Sequence, residues 1–135
     1  MNEEYLSAMK LIKIAFDEFS FNRVGFKSDS KMTLNMNVQI GENNSIYIVS
    51  VSYTISKEKE YVLKIKLSGY FEFDDIDDIP KKELLEKNAV AILLPYIRSE
   101  ITLLTSQPET DSVVLPIFDV TKLMDGNQIA TESFD

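Results

Sequence analysis

The chain has 135 residues, 44% hydrophobic and 27% charged, which fits one globular domain with its own core. It contains no Cys, His or Trp, so disulfides, thiol nucleophiles, imidazole bases and Cys/His zinc sites are excluded. A net charge of −8 without any basic stripe argues against a phosphate backbone as partner.

Residues 1–9 read as an N-terminal extension, with a helical start through about Ala8. Glu3 and Glu4 stand where a secretory signal would carry Lys or Arg. No apolar run approaches the roughly 20 residues that span a bilayer, so the expected location is the cytoplasm. From Leu11 to Phe21 the pattern is ambiguous. Ile12, Ile14 and Phe16 alternate, then the phase slips and continues at Phe19 and Phe21. A strand with a β-bulge at Asp17–Glu18 explains the slip. A helix explains the 4-3-4-3 spacing of Tyr5, Met9, Ile12, Phe16 and Phe19. The density of Ile and Phe over 11–21 favours the strand.

Three clean alternations follow. Met32, Leu34, Met36, Val38 and Ile40 interleave with Thr33, Asn35, Asn37 and Gln39, the pattern of a half-buried antiparallel strand. Gly41–Ser45 supplies turn residues. In Ile46–Ser56, Tyr47, Val49, Val51, Tyr53 and Ile55 share one face, and Ser50, Ser52, Thr54 and Ser56 the other. Lys57–Glu60 is a charged hairpin tip. Tyr61–Phe73 keeps Tyr61, Leu63, Ile65, Leu67, Phe71 and Phe73 in phase, with Gly69 marking a bend or a close approach.

Asp74–Pro80 is an acidic loop with two isolated isoleucines. From Lys81 to Ser106, Leu84, Leu85, Val90, Ile92, Leu93, Ile97, Ile101 and Leu104 form a broad helical stripe. Pro95 inside it predicts a kink or a new start near Asn88. Gln107–Asp111 is a polar break and Ser112–Pro116 reads as extended. Asp119–Met124 makes at most a turn and a half of helix, and 125–135 reads as a flexible tail. The fold class is α+β: a four-stranded antiparallel sheet, a kinked long helix on one face, and a very short C-terminal helix.

Leu94–Arg98, Leu-Pro-Tyr-Ile-Arg, brings in a resemblance. The segment around it resembles the SecB export-chaperone helix, roughly Φ-L-F-P-Y-A-R-E-x-I. Residues 113–123 (VVLPIFDVTKL) resemble that family's L-x-L-x-P-x-N-F-D-A-L, and 67–73 (LSGYFEF) resemble its fourth strand. The similarity spans about residues 10–124, taken as a SecB-like domain. It implies a small acidic cytoplasmic chaperone, usually a dimer of dimers, holding non-native preproteins without ATP and passing them to the SecA translocation motor. The sequence departs from the pattern in four places. Ile117–Phe118 replaces the Asn-Phe pair, and Gln107–Pro108 replaces the Gly-x-Pro break. The terminal helix is nearly absent, and the acidic SecA-docking face is depleted. Matching the family's Ile-Ser-Phe to Phe19–Phe21 leaves Glu18 as a docking acid, while Asn22 and Lys64 replace two others.

The groove expected for an unfolded client comprises Met32, Leu34, Met36, Phe71, Phe73, Ile76, Ile79 and Leu84, because thioether and ring contacts accept many sequences. The competing reading places the same residues in an ordinary core. Asp74, Asp75, Asp77 and Asp78 invite a cation site, but their spacing lacks a calcium loop's glycine and distal Glu, and a solvated loop fits better. Arg98 reads as a structural hydrogen-bonding residue and Tyr96 as core. No catalytic constellation and no cofactor motif is present, so the chain is expected not to be an enzyme. An ATP-independent holdase leads. The rivals are a dedicated partner of a single client such as an antitoxin, and a small-ligand or cation-binding protein. The mild Ser/Thr face and the apolar helix predict a homo-oligomer, dimer or tetramer.

Overall fold

A computed structural model describes residues 8–115 and 128–131. Strands β1 (Met9–Arg23), β2 (Met32–Asn43), β3 (Ile46–Lys57) and β4 (Tyr61–Phe73) form an antiparallel sheet. A short β5 (Gln128–Thr131) pairs parallel with β2, giving the order β1-β4-β3-β2-β5. The helical column after β4 consists of α1 (Lys81–Glu83), a π-helical stretch (Leu84–Ala89) and α2 (Val90–Thr105).

The period-two pattern of β2, β3 and β4 is realised as a meander. Asn44 and Ser45 both take positive φ, 51° and 67°, in the two-residue turn between β2 and β3. That geometry matches the twist of paired strands. Glu58–Glu60 makes the second turn, with Lys59 at φ 68°. The helical reading of residues 5–19 is overturned over Met9–Phe19, because β1 pairs with β4 from Met9↔Phe73 to Arg23↔Tyr61. The ladder shifts between Phe16 and Glu18, which places the bulge at Asp17, and shifts again between Leu11 and Lys13. The first shift lets Phe16 and Phe19 both reach the apolar face, where their rings stack at 4.6 Å. Asp17 instead accepts a hydrogen bond from Ser68 Oγ (2.5 Å), and Ser68 in turn meets Ser50 Oγ at 2.7 Å.

The helical column covers the middle of the apolar face, over β3 and β4. Leu84, Leu85, Ala89, Val90, Leu93, Leu94, Ile97 and Ile101 are all buried. The irregularity expected near Asn88 takes the form of the π-helical stretch. Its wider turn carries Leu84, Leu85, Ala89 and Val90 on the packed side. Pro95 sits on the exposed side of α2. Tyr96, read from sequence as core, is 45% exposed, because its position on α2 faces away from the sheet.

Past α2 the chain turns back along the helix. Thr102 Oγ1 donates to the Val113 carbonyl (2.8 Å), Val113 N–H donates to Thr105 Oγ1 (2.8 Å), and Arg98 Nε donates to the Leu115 carbonyl (3.2 Å). These bonds tie Val113 and Leu115 to the helix in a segment without regular secondary structure; Pro116, the end of the extended segment expected at Ser112–Pro116, lies outside the described residues. Arg98 has the structural role expected of it. The short helix predicted at Asp119–Met124 lies outside the described residues. Within 125–135, read as a flexible tail, Gln128–Thr131 form β5; the free edge of β2 offers backbone partners that no side-chain pattern advertises.

Candidate functional site

The helix is narrower than the sheet it covers, so apolar residues remain open on both flanks. On the β1 flank Leu11, Ile12 and Phe19 are exposed, and among the described residues no strand lies on the outer side of β1. On the β2 flank Met32 and Leu34 are 38% and 44% exposed. A cavity of about 310 Å³ opens beside them, lined by Met32, Lys57, Tyr61, Asp111, Ser112, Val113 and Val114. Val114 at its rim is 74% exposed.

The eight groove residues expected from sequence do not all stand together. Met36 and Phe71 on the sheet and Leu84 on the helical column are closed inside the core. Met32 and Leu34 lie at the start of β2. Phe73, Ile76 and Ile79 are half-buried at the opposite end of the sheet, beside the turn between β2 and β3. Along β2 these two groups are separated by roughly 30 Å. These eight residues therefore divide into two apolar patches with a filled core between them.

The floor of the β2-flank patch is polar and tightly organised. Lys57 Nζ lies 2.7 Å from Glu60 Oε2, and the Glu60 side chain has no exposed surface. Ser28 Oγ also donates to Glu60 Oε2, at 3.2 Å. The Lys57 ammonium, chiefly by its hydrogen bond, holds the Glu60 carboxyl below the usual range, and the same bond raises Lys57. Burial pushes the Tyr61 phenol up. Nearby, Lys27 and Asp111 pair at 2.7 Å, which lowers the Asp111 carboxyl.

Arg23, which no sequence signal marked, ties this end together. Its guanidinium donates to the Gly25, Pro108 and Glu109 carbonyls, to Gln107 Oε1, and to Thr110 Oγ1 at 2.5 Å. Its partners lie 84 to 87 residues away except for Gly25, so only the folded chain reveals the role.

At the other end, the acidic loop is anchored rather than open. Asp74 pairs with Lys10 at 2.9 Å, and its carbonyl accepts from Ile76 N–H at 2.9 Å. Among the described residues no group of three or more carboxylates is placed to hold a metal ion. Among them, too, no helix is long and apolar enough to cross a membrane. Glu18, the docking acid suggested by the resemblance, is exposed on the polar face of β1, directly opposite Lys66.

No model of a known protein family matches the sequence. The uncharacterised protein MJ0357 of Methanocaldococcus jannaschii is 31% identical over 120 residues, covering 79% of this chain and 75% of that protein. The chain belongs to the family of MJ0357. Among solved structures, the Mycobacterium tuberculosis Rv1957 SecB-like chaperone, in complex with a ChAD peptide from the Rv1956 HigA1 antitoxin, superposes with a TM-score of 0.71. That match is 15% identical and covers 87% of this chain and 92% of the chaperone. A Streptococcus agalactiae protein of unknown function superposes at 0.49, with 13% identity over 81% of this chain and 98% of that one. The fold of this MJ0357-family protein is thus SecB-like, a four-stranded antiparallel sheet with one long helix, as the sequence resemblance implied.

Proposed function

We propose that this protein is an ATP-independent chaperone that holds non-native polypeptide by apolar contact. The observation that carries the reading is the superposition on a SecB-like chaperone that holds an antitoxin peptide. Support comes from the two open apolar patches, Met32 and Leu34 with Val113 and Val114, and Phe73 with Ile76 and Ile79. Met and aromatic surfaces adapt to many sequences because their contacts demand little directionality. An overall charge of −8 keeps such surfaces from self-association. The β1 flank has a different use in this reading. An edge strand with exposed Leu11, Ile12 and Phe19 is covered by a second copy, giving a dimer or, through the exposed Ile92, Tyr96 and Leu103 of α2, a tetramer.

A dedicated role for one client, as an antitoxin partner, is favoured over export by the charge of the sheet's outer face. Lys64 and Asn22 sit there where the family pattern has acids, and Glu18 faces Lys66 across the strand pair. Like charges at an interface cost several kcal/mol, so a motor selecting acids docks poorly. The test is binding to a panel of labelled, chemically unfolded proteins followed by fluorescence anisotropy. A chaperone of either kind binds some of them; a dedicated one ignores most. Binding to none, with the protein folded, removes the reading.

A further inference from the structure

Three side chains stand in one row at the end of the sheet. Met32 of β2 lies opposite Lys57 of β3, and Lys57 lies opposite Tyr61 of β4. Directly opposed residues share a face, here the apolar one that also carries Leu34, Ile55 and Leu63. The segment after α2 closes a cavity of about 310 Å³ against this row, contributing Asp111, Ser112, Val113 and Val114. Thr102 and Thr105 hold that segment through Val113, Lys27 through Asp111, and Ser106 through Ser112, with 3.0 Å between the two hydroxyl oxygens. Both sides of the cavity are therefore in place before any ligand arrives.

The polar groups at this cavity keep unused bonding capacity. Tyr61 is only 1% exposed, yet its hydroxyl meets no partner among the described residues. Burial raises the phenol, so the hydroxyl keeps its proton and stays a donor at neutral pH. Leaving a buried hydroxyl unpaired is costly, and an acceptor in the cavity removes that cost. Lys57 uses one of its three N–H groups on Glu60 at 2.7 Å. Asp111 gives Oδ1 to Lys27 at 2.7 Å, and a carboxylate accepts through both oxygens. The cavity thus presents two donors from the sheet, a carboxylate from the segment above, and apolar surface from Met32, Val113 and Val114.

We infer that this cavity binds a free aliphatic α-amino acid, its carboxylate on Lys57 and Tyr61, its ammonium on Asp111, and its side chain against Met32, Val113 and Val114. A zwitterion suits the surroundings, because Lys57–Glu60 and Lys27–Asp111 are already balanced pairs. A plain carboxylate would add charge to a protein at −8, and a plain amine would leave both donors unused. At about 310 Å³ the cavity stands at the small end of ligand pockets, which fits an amino acid better than a nucleotide. A residue inside a polypeptide carries neither of the two backbone charges, so the ligand is a small molecule and not a client segment.

The probe is L-leucine, titrated against the Tyr61 ring and the Val113 and Val114 methyl resonances by NMR. The controls are N-acetyl-leucine methylamide, which lacks both charges, and isocaproate, which lacks the ammonium. The expected result is a saturable shift with leucine, and binding weaker by about tenfold or more with the doubly blocked compound. Tyr61→Phe keeps the ring, which stacks on Phe21 at 4.8 Å, and removes only the unpartnered hydroxyl. It leaves the fold intact and weakens leucine by about tenfold. Asp111→Asn, an exposed change, weakens leucine about two- to fivefold and leaves isocaproate unaltered. No saturable shift with leucine, or an equal response to the doubly blocked compound, overturns the proposal. Wild-type affinity in Tyr61→Phe overturns it as well, since the hydroxyl would then be served by water alone. The site does not rest on client binding, so leucine binding by a protein that suppresses no aggregation still supports it.

Discussion

Gly69 of β4 and Leu93 of α2 approach so closely that a methyl group built on the glycine would lie 2.8 Å from Leu93 Cδ2. The Phe71 ring is just as near, at 2.8 Å from Cε2. Neither neighbour has room to retreat, because both side chains are fully buried. The glycine is therefore what lets the helix settle onto the centre of the sheet, and the open flanks on either side follow from where it settles.

Gly69→Ala overpacks this junction and destabilises the domain by about 1–3 kcal/mol. Leu93→Ala, which empties the same place, costs about 2–5 kcal/mol. Denaturant midpoints measure both. In the double variant the new methyl has space beside it, so the two losses are less than additive.

Arg23 predicts a second effect. Removing its guanidinium leaves the 107–110 loop without side-chain anchors to β1. Arg23→Ala loses about 1–3 kcal/mol, in the range of hydrogen bonds to a charged group. Arg23→Lys recovers little, because an ammonium cannot reproduce a planar fork. Amide exchange in 107–113 accelerates in both variants, while the centre of β4 stays protected.

The Lys57–Glu60 pair sets a pH dependence. Glu60 has its carboxyl lowered from 4.5, so its contribution is present above that value and is lost as pH falls through the lower folded value. Lys57 is raised from 10.5, so the pair persists until pH rises past that value. Wild type should exceed Glu60→Gln in stability throughout the neutral range. The difference should begin to shrink below pH 4.5 and vanish beneath the lower folded value, where both proteins carry an uncharged side chain there. A difference that stays constant from pH 7 to pH 3 contradicts the assignment.

The acidic loop gives a functional contrast. Ile76→Asp with Ile79→Asp changes half-buried residues and leaves the core intact, so the domain remains folded. Client binding falls by about tenfold or more, since burying each isoleucine is worth about 1.5–3 kcal/mol. Leu84→Asp, which puts a charge in the core, abolishes folding instead. Circular dichroism and anisotropy together separate the two outcomes.

What the sequence made legible was local. The alternation of Met32 through Phe73 announced the meander, the slipped phase after Phe16 announced the bulge at Asp17, and Gly69 announced a close approach. The choice between helix and strand at residues 9–19 needed the partner strand β4, some 50 residues away. Arg23 and its loop were invisible for the same reason. Met36, Phe71 and Leu84 carried the same apolar signal as Met32 and Leu34, because periodicity identifies a face and not how far a helix covers it. The four residues of β5 had no alternation to read, since that pairing runs through backbone groups.

The central claim is that this chain, by itself, keeps unfolded polypeptide from aggregating. The direct measurement is light scattering from a chemically unfolded, aggregation-prone protein diluted into buffer containing an equal concentration of this one, without nucleotide. Scattering should be suppressed in proportion to the chaperone added, and the Ile76→Asp/Ile79→Asp variant should suppress it less. Undiminished scattering across several unrelated unfolded proteins, with the protein itself folded, would contradict the claim.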